Sequence, residues 1–310
     1  MLKNSRQPIA DSRQLITKKK DFEIDSFFAI LNFVKYILGD KMKKIILFVF
    51  IAIINVFLVD ARDNAIIIDH NCIDISKVPL NWVEKAKQEI ILSYGHTSHG
   101  SQIVTGMDML AEDEGSPFQY NNGENTLVLY DYTPSGDLGN PDRTSWADRT
   151  RELLNQEGNT INMVMWSWCG QASDARLEDI HTYTFLMNSL ETEFPNVTFI
   201  YMTGHLDGSG INGTLHQKNE MIREFCIENK KILFDFADIE SYDPDGNFFL
   251  NKNADDGCNY TLNGENRNWA EEWCANNPGK CKDCNGCAHS HCLNCQNKGK
   301  AFWWLLARAA

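Results

Sequence analysis

Short apolar runs alternate along most of the chain with longer segments in which apolar residues recur at helical spacing. Five apolar runs are predicted to be strands: 89–94, 125–132, 161–168, 197–202 and 232–237. The predicted helices are a segment that begins at 102, a segment around 146–154, and segments 176–193, 216–229 and 298–309. Repeated strand–helix units form a parallel sheet that is covered on both faces. The pattern therefore predicts an α/β three-layer sandwich with a mostly parallel five-stranded sheet.

The N-terminal part of the chain has a different pattern. Residues 41–44 are basic except for one methionine, and a run from Ile45 to Val59 that is apolar except for Asn55 follows them. A basic start, an apolar run of this length and the small residue Ala61 are typical of a secretory signal peptide. We predict a signal peptide over 42–61, one domain over 62–310, and an N-terminal extension or mis-assigned start over 1–41. Without cleavage, the apolar run would act as a membrane anchor.

Charge and cysteine content narrow the choice of partners and compartment. The chain carries 29 Lys and Arg against 42 Asp and Glu, a formal net charge of −13, and the N-terminal segment before the domain is basic. An acidic domain repels nucleic acid and anionic lipid, so neither is predicted as a partner. All ten cysteines lie in the domain, as expected for an exported protein with disulfides. We therefore predict a secreted or periplasmic protein, in contact with membrane only through an uncleaved signal anchor.

A turn of small polar residues follows the first predicted strand. Residues 95–100 read Gly-His-Thr-Ser-His-Gly, and a helical pattern begins directly after them. Nucleophilic hydrolases place a serine at such a junction, because the turn exposes Oγ and the helix N-terminus offers unpaired N–H groups to an oxyanion. Ser98 is therefore the candidate nucleophile. The alternative is that Ser98 or Ser101 only caps the helix.

The general base of such a serine usually comes from a distant loop. His96 and His99 are close to Ser98 in sequence, but adjacent residues of an extended segment point to opposite sides. Proximity in sequence therefore does not make either of them the base. The loop before the final predicted helix contains His289 and His291, and either of these two residues is a candidate.

The turn at 95–100 resembles the first sequence block of the SGNH/GDSL hydrolases, in which glycine, a polar residue and serine follow the first strand. The order of elements over 85–310 is also similar to that family, with flavodoxin-like alternation and a histidine loop before the last helix. The resemblance implies a serine hydrolase with Ser98 as the nucleophile. It also implies an oxyanion hole formed by the N–H of Ser98, by Gly136 or Gly139, and by the side chain of Gln171.

Two other blocks depart from the pattern of that family. The third block expects Gly-x-Asn-Asp, whereas residues 166–171 read Trp-Ser-Trp-Cys-Gly-Gln. The last block expects an aspartate three residues before the histidine, and neither His289 nor His291 has one there. The acid of the triad therefore stays open between Asp283 and a Ser–His dyad that is helped by a main-chain carbonyl.

Seven cysteines lie between 258 and 295, in a part of the chain without a long apolar run. Five of them form the C-x-x-C runs 281–287 and 292–295, which are close to zinc-ribbon spacing. Export favours disulfides over structural zinc. We predict a Cys-rich loop insertion that disulfides hold in place, and neither a metal nor another cofactor. A metal site that includes His289 and His291 is the alternative.

Three further side chains are predicted to contact substrate: His96, Trp168 and His205. Tryptophan stacks on sugar rings but more often packs in a core, and His205 follows the fourth predicted strand, where an exposed turn is the alternative. The leading hypothesis is an exported esterase that acts on a small-molecule or polysaccharide ester. The alternatives are a non-catalytic exported domain that binds carbohydrate or protein, and a zinc-dependent protein.

Overall fold

The computed structural model describes residues 64–113 and 115–310, apart from the side chain of Gln171. Its centre is a six-stranded parallel sheet. The strands are β1 (Ile66–Ile68), β2 (Ile91–Gly95), β3 (Val128–Asp131), β4 (Met163–Trp166), β5 (Thr198–Met202) and β6 (Ile232–Phe234). Their order across the sheet is β1-β6-β5-β4-β2-β3. The predicted extension over 1–41 and the predicted signal peptide over 42–61 lie outside the described residues.

Helices cover both faces of the sheet. They are α1 (Leu80–Glu89), α2 (Ser101–Ala111), α3 (Ser145–Leu154), α4 (Gln171–Asp174), α5 (Leu177–Glu193), α6 (Thr214–Glu228), α7 (Phe236–Glu240), α8 (Trp269–Asn276) and α9 (Cys292–Ala309). Short 3-10 helices cover His70–Cys72, Ile75–Lys77 and Leu250–Lys252. Among the residues that the structure describes, no helix combines the length and the apolar character needed to cross a membrane.

Alternate residues of β4, β5 and β6 enter two different cores. In β4, Met163 and Met165 pack in one core, and Val164 and Trp166 pack in the other. The first core also contains apolar residues of α1, α2 and α9, and the second contains those of α3, α5 and α6. Because both faces are buried, β4 is a continuous apolar run rather than an apolar–polar alternation.

The predicted α/β sandwich with a parallel sheet is confirmed, and the sheet has one strand more than the five predicted. The sequence pattern misses β1, a run of three residues that pair with β6 at the sheet edge. The other five strands have the flavodoxin-like order, with β3 outside β2 and β4, β5 and β6 on the other side. The last helix begins at Cys292, earlier than the predicted 298, because buried polar residues in its first turns hide the apolar spacing.

Disulfides hold the Cys-rich segment, as predicted. They join Cys274 to Cys281, Cys284 to Cys292, and Cys287 to Cys295. The segment also forms a hairpin of β7 (Asn259–Leu262) and β8 (Glu265–Asn268), which precedes α8. Six of its seven cysteines are therefore oxidised and supply no thiolate to zinc, so the zinc-ribbon alternative does not fit the structure.

Helices α2 and α9 approach each other backbone to backbone. A Cβ atom at Gly106 would overlap the carbonyl oxygen of Cys295, and one at Gly299 would overlap the backbone of Gly106. Only glycine leaves room for such an approach. Since the serine turn leads into α2 and the histidine loop leads into α9, this contact brings the two segments together.

A buried ion pair lies beside this helix contact. Nζ of Lys298 is 2.6 Å from Oε1 of Glu240, and both side chains are fully buried. Lys298 also donates to Oε1 of Gln102, whose Nε2 donates to the carbonyl oxygen of Ala288 at 2.6 Å. The second carboxylate oxygen of Glu240 accepts the N–H of Leu206 at 2.7 Å. One ammonium group therefore links α9, α7 and α2 to two loops at the carboxyl edge of the sheet.

Replacing Lys298 with methionine is expected to lower the free energy of unfolding by about 3–5 kcal/mol, because Glu240 would then carry a buried charge without a partner. The double variant Lys298→Met/Glu240→Gln removes that charge, and we expect it to regain part of the loss. Urea unfolding followed by circular dichroism, with the disulfides intact, measures both variants. Equal losses in the single and double variants would show that an unpaired carboxylate is not the cause.

Candidate active site

The strand order has its switch point at the carboxyl ends of β2 and β4, where a parallel α/β sheet forms a crevice. Helix α2 leaves β2 on one face of the sheet, whereas α5 follows β4 on the other face. Parallel α/β sheets bind ligands at such a switch point. Ser98 follows β2 and Cys169 follows β4, and Oγ of the serine is 3.7 Å from Sγ of the cysteine. The crevice therefore contains two side chains that can act as nucleophiles.

The turn between β2 and α2 leaves the side chain of Ser98 available. A Cβ atom at Gly100 would overlap Cβ of His96, so the tight turn requires glycine there. Gly100 is also the cap residue of α2, and no side chain caps this helix. Oγ of Ser101 donates to the carbonyl oxygen of Ser98 at 2.6 Å. The hydroxyl of Ser98 is therefore not used as a helix cap.

Ser98 and His289 meet at hydrogen-bond distance. Nε2 of His289 is 2.9 Å from Oγ of Ser98, although 191 residues separate the two in sequence. His289 has a backbone φ of +61°, a conformation that is uncommon for residues other than glycine. Gln102 holds the carbonyl oxygen of the preceding Ala288 at 2.6 Å and so fixes this turn. The serine is half-buried and the histidine is exposed, so substrate has access to the pair.

The second predicted base and the predicted acid have other partners. Nδ1 of His291 accepts the backbone N–H of Leu293 at 3.1 Å, so this ring caps α9. Burial lowers the pKa of His291. Asp283 is exposed, and its Oδ1 accepts the N–H of Cys284 at 2.9 Å. Among the contacts of the described residues, neither side chain joins the serine–histidine pair.

Two of the residues predicted for the oxyanion hole, Gly136 and Gly139, lie in the loop after β3, and the third, Gln171, follows β4. Gly136 has a φ of +125°, and a Cβ atom there would overlap the guanidinium of Arg149. The carbonyl oxygen of Gly139 accepts a hydrogen bond from Arg143 at 3.1 Å. Gln171 begins α4, but its side chain lies outside the described part of the chain. Their role in an oxyanion hole stays a prediction.

The three side chains predicted to contact substrate have different environments. Trp168 is a core residue rather than a crevice residue: it is 2 % exposed, and its Nε1 donates to the carbonyl oxygen of Met202 at 3.1 Å. His96 is also buried, with Nε2 2.6 Å from Oδ1 of Asp131. His205 is 8 % exposed, so it is not the solvent-facing turn residue of the alternative interpretation.

A second set of potential catalytic side chains lies beside Ser98, and the sequence analysis missed it. Nδ1 of His99 is 3.3 Å from Sγ of Cys169, and Nε2 of His99 is 2.9 Å from Oδ2 of Asp256. Thiol, imidazole and carboxylate in this order resemble the triads of cysteine hydrolases. The position of Cys169 after β4 was an available signal. Its partners were not, because 70 and 157 residues separate the members of each pair.

Hydrogen bonds set the charges of this second set. The hydrogen bond with His99 lowers the pKa of Cys169 to about 6 against the effect of burial, and contacts with Ser98 and the N–H of Gly170 add to the lowering. Burial disfavours a charge on His99, but hydrogen bonds with Asp256 and Cys169 raise its pKa to about 9. Near pH 7 the thiol and the imidazole therefore form a thiolate–imidazolium pair.

Two other histidine rings pack against His99. The ring of His205 stacks on it at 3.6 Å between centroids with 3° between the planes, and the ring of His289 lies at 4.5 Å. Burial lowers the pKa of His205, and its Nδ1 lies 2.8 Å from the carbonyl oxygen of Leu206. Its buried Nε2 has no hydrogen-bond partner among the described residues. A neutral His205 therefore has a buried acceptor nitrogen without a hydrogen bond among the described residues.

The same residues include donors that a divalent metal accepts. One ligand atom each from His99, Asp256 and His289 lie within 4.8 Å of one another. A metal there would compete with the hydrogen bond between His99 and Asp256. A second group of this kind comprises Asp69 and His70, which follow β1, and Asp238 on α7.

No family model matches the sequence, and comparisons with curated proteins and with solved structures give no match either. The resemblance to SGNH/GDSL hydrolases therefore stays a prediction. Because one fold supports many activities, the functional argument depends on the geometry of the side chains in the crevice.

Proposed function

We propose that this protein is an exported serine hydrolase that cleaves carboxylic esters. The observation that carries the proposal is the distance of 2.9 Å between Oγ of Ser98 and Nε2 of His289. A serine hydroxyl is a weak nucleophile at neutral pH and needs a base at this distance. Ser98 and His289 also lie at the switch point, where substrates of parallel α/β proteins bind, and this position supports the same proposal.

In the proposed reaction, Oγ of Ser98 attacks the ester carbonyl carbon while Nε2 of His289 takes the hydroxyl proton. The bond to the alcohol then breaks, and His289 returns the proton to the leaving alcohol. Water releases the acyl group by the same route, with His289 again as the base. The N–H of Ser98 and the N-terminal end of α2 would stabilise the negative oxygen. Gly136 or Gly139 and Gln171 are the further donors that the proposal includes.

The base also needs a negative group that faces its protonated form. Asp283, the predicted acid, hydrogen-bonds the N–H of Cys284 instead. A carboxylate oxygen of Asp256 lies within 4.8 Å of a ring nitrogen of His289. We therefore propose Asp256 in place of Asp283, acting on His289 through its charge rather than through a direct hydrogen bond.

Export and an extracellular ester substrate belong to the same proposal. The three disulfides are consistent with an oxidising compartment. At the end of β3, next to the strand that leads to Ser98, Tyr130 and Tyr132 are 44 % and 49 % exposed. The ring of Tyr132 lies 5.8 Å from that of His96. Exposed aromatic rings beside the crevice suit a sugar ring, which favours a carbohydrate ester as substrate.

Ser98→Ala is expected to lower kcat/KM for p-nitrophenyl acetate by about a thousandfold, because the nucleophile is lost. The comparison is made in a Cys169→Ala background, so that thiol attack on this activated ester does not contribute. Ser101→Ala is the matched control, since its hydroxyl bonds only a backbone carbonyl on the same turn. It should keep most of the activity. Undiminished turnover after the loss of Ser98 would refute the proposal.

His289→Gln is expected to lower kcat/KM in the same background by about 10²–10⁴-fold, the usual contribution of a general base. His291→Gln should keep this activity and lose about 1 kcal/mol of stability in urea unfolding, because the ring caps α9. An inactive His291 variant beside an active His289 variant would reverse the assignment of the base.

A further inference from the structure

Four cysteines are free, and one of them has both access to solvent and catalytic partners. Cys72, Cys226 and Cys258 are buried, whereas Cys169 is partly exposed. Burial raises the pKa of each buried thiol. In contrast, Sγ of Cys169 lies 3.3 Å from a ring nitrogen of His99 in the crevice. This thiol has no role in the proposed reaction of Ser98.

We propose that Cys169 is a second nucleophile of the crevice, that His99 is its proton acceptor and donor, and that Asp256 orients His99. In this role Cys169 takes the acyl group of a carboxylic ester by a route of its own. The inference does not rest on the proposed role of Ser98 and would stand if that serine were inert.

The geometry around His99 suits this role. Nε2–H of His99 donates to Asp256 at 2.9 Å, so Nδ1 is the nitrogen that exchanges a proton with Cys169. The stacked ring of His205, 3.6 Å away and nearly parallel, restricts rotation of His99. The imidazole is therefore held in one tautomer and one orientation.

The chemical step conserves atoms and electrons. The thiolate of Cys169 bonds to the ester carbonyl carbon, the bond to the alcohol oxygen breaks, and the alcohol takes the proton of the His99 imidazolium. Water then attacks the thioester, His99 takes a proton from this water, and the carboxylic acid and the thiolate are released. These two steps require no oxidant, reductant or metal.

The hydroxyl of Ser98 can donate to only one of two neighbouring atoms. Its single proton can go to Nε2 of His289 at 2.9 Å or to Sγ of Cys169 at 3.7 Å. The shorter contact favours His289, which leaves Cys169 to His99. Each nucleophile then has its own histidine. Around the thiolate, the titratable groups are the imidazolium of His99, the carboxylate behind it and the rings of His205 and His289.

Alkylation of the disulfide-intact protein with iodoacetamide, mapped by mass spectrometry, tests the ionisation of the thiol. Between about pH 5 and pH 9, modification of Cys169 should rise with a midpoint near its pKa of about 6. The buried Cys226 and Cys258 serve as internal controls and should react only after unfolding. The midpoint is more informative than the rate, because the nucleophilicity of a thiolate falls as its pKa falls.

Variants test which side chains set the midpoint of the pH profile for alkylation of Cys169. His99→Gln is expected to move it towards about 8.5, the value of an ordinary thiol, and Asp256→Asn should move it in the same direction. Ser98→Ala removes a smaller contribution to the lowering, so it should raise the midpoint less than His99→Gln does. A native midpoint near 8.5, or one that the loss of His99 does not shift, would overturn the inference. If the His99 variant does not fold, the midpoint measured for the native protein alone tests the inference.

Acyl transfer itself is tested in the Ser98→Ala variant. After incubation with p-nitrophenyl acetate and an acid quench, an acetyl group is expected on the peptide that contains Cys169. The matched control Cys226→Ser should be acetylated at Cys169 to the same extent, in the same Ser98→Ala background. Absence of the acetyl group from a thiol that iodoacetamide modifies would overturn the acyl-transfer role. Fluorophosphonate labelling of Ser98 in a Cys169→Ala variant reports separately on the serine.

Discussion

One buried ammonium group connects the loops of the crevice. Burial lowers the pKa of Lys298, and the carboxylate of Glu240 opposes that effect. Through Gln102, Lys298 fixes the carbonyl oxygen that precedes His289, and through Glu240 it fixes the N–H that follows His205. A buried ion pair adds little net stability, but it has a high cost when one partner is removed. We infer that the ion pair serves to position the site, since the turn that contains Ser98 and the loops that contain His205 and His289 all depend on one charge.

The charge on Cys169 affects the reaction proposed for Ser98, because the two side chains are neighbours in the crevice. A thiolate on Cys169, 3.7 Å from Oγ of Ser98, disfavours the negative charge that develops when the serine attacks. The imidazolium of His99 offsets this charge because it is paired directly with the thiolate. Asp256 is common to both routes, through a hydrogen bond to His99 and through its proximity to His289. The two proposed nucleophiles are therefore neighbours that share one carboxylate, and each has its own histidine.

The sequence predicts the features that depend on local patterns. Buried strands are continuous apolar runs, which identify the sheet, and Ser98 lies at a junction that can be recognised from its neighbours. The loop before the last helix makes His289 and His291 candidates, and His289 is the one at hydrogen-bond distance from Ser98. Trp168, which was predicted to contact substrate, is buried in the core, since a tryptophan at a strand end packs inward as readily as outward. The partners of Cys169 cannot be predicted, because only the sheet order brings residues from three distant segments together.

Trapping of the acyl-enzyme tests the central claim most directly. The native protein is mixed with an aryl acetate, and the reaction is quenched in acid within the first turnover. The acetylated peptide is then identified by mass spectrometry. The account predicts an acetyl group on the peptide that contains Ser98, and loss of that adduct when His289 is replaced by glutamine. Turnover of the ester without an acetyl group on Ser98 at any quench time would contradict it.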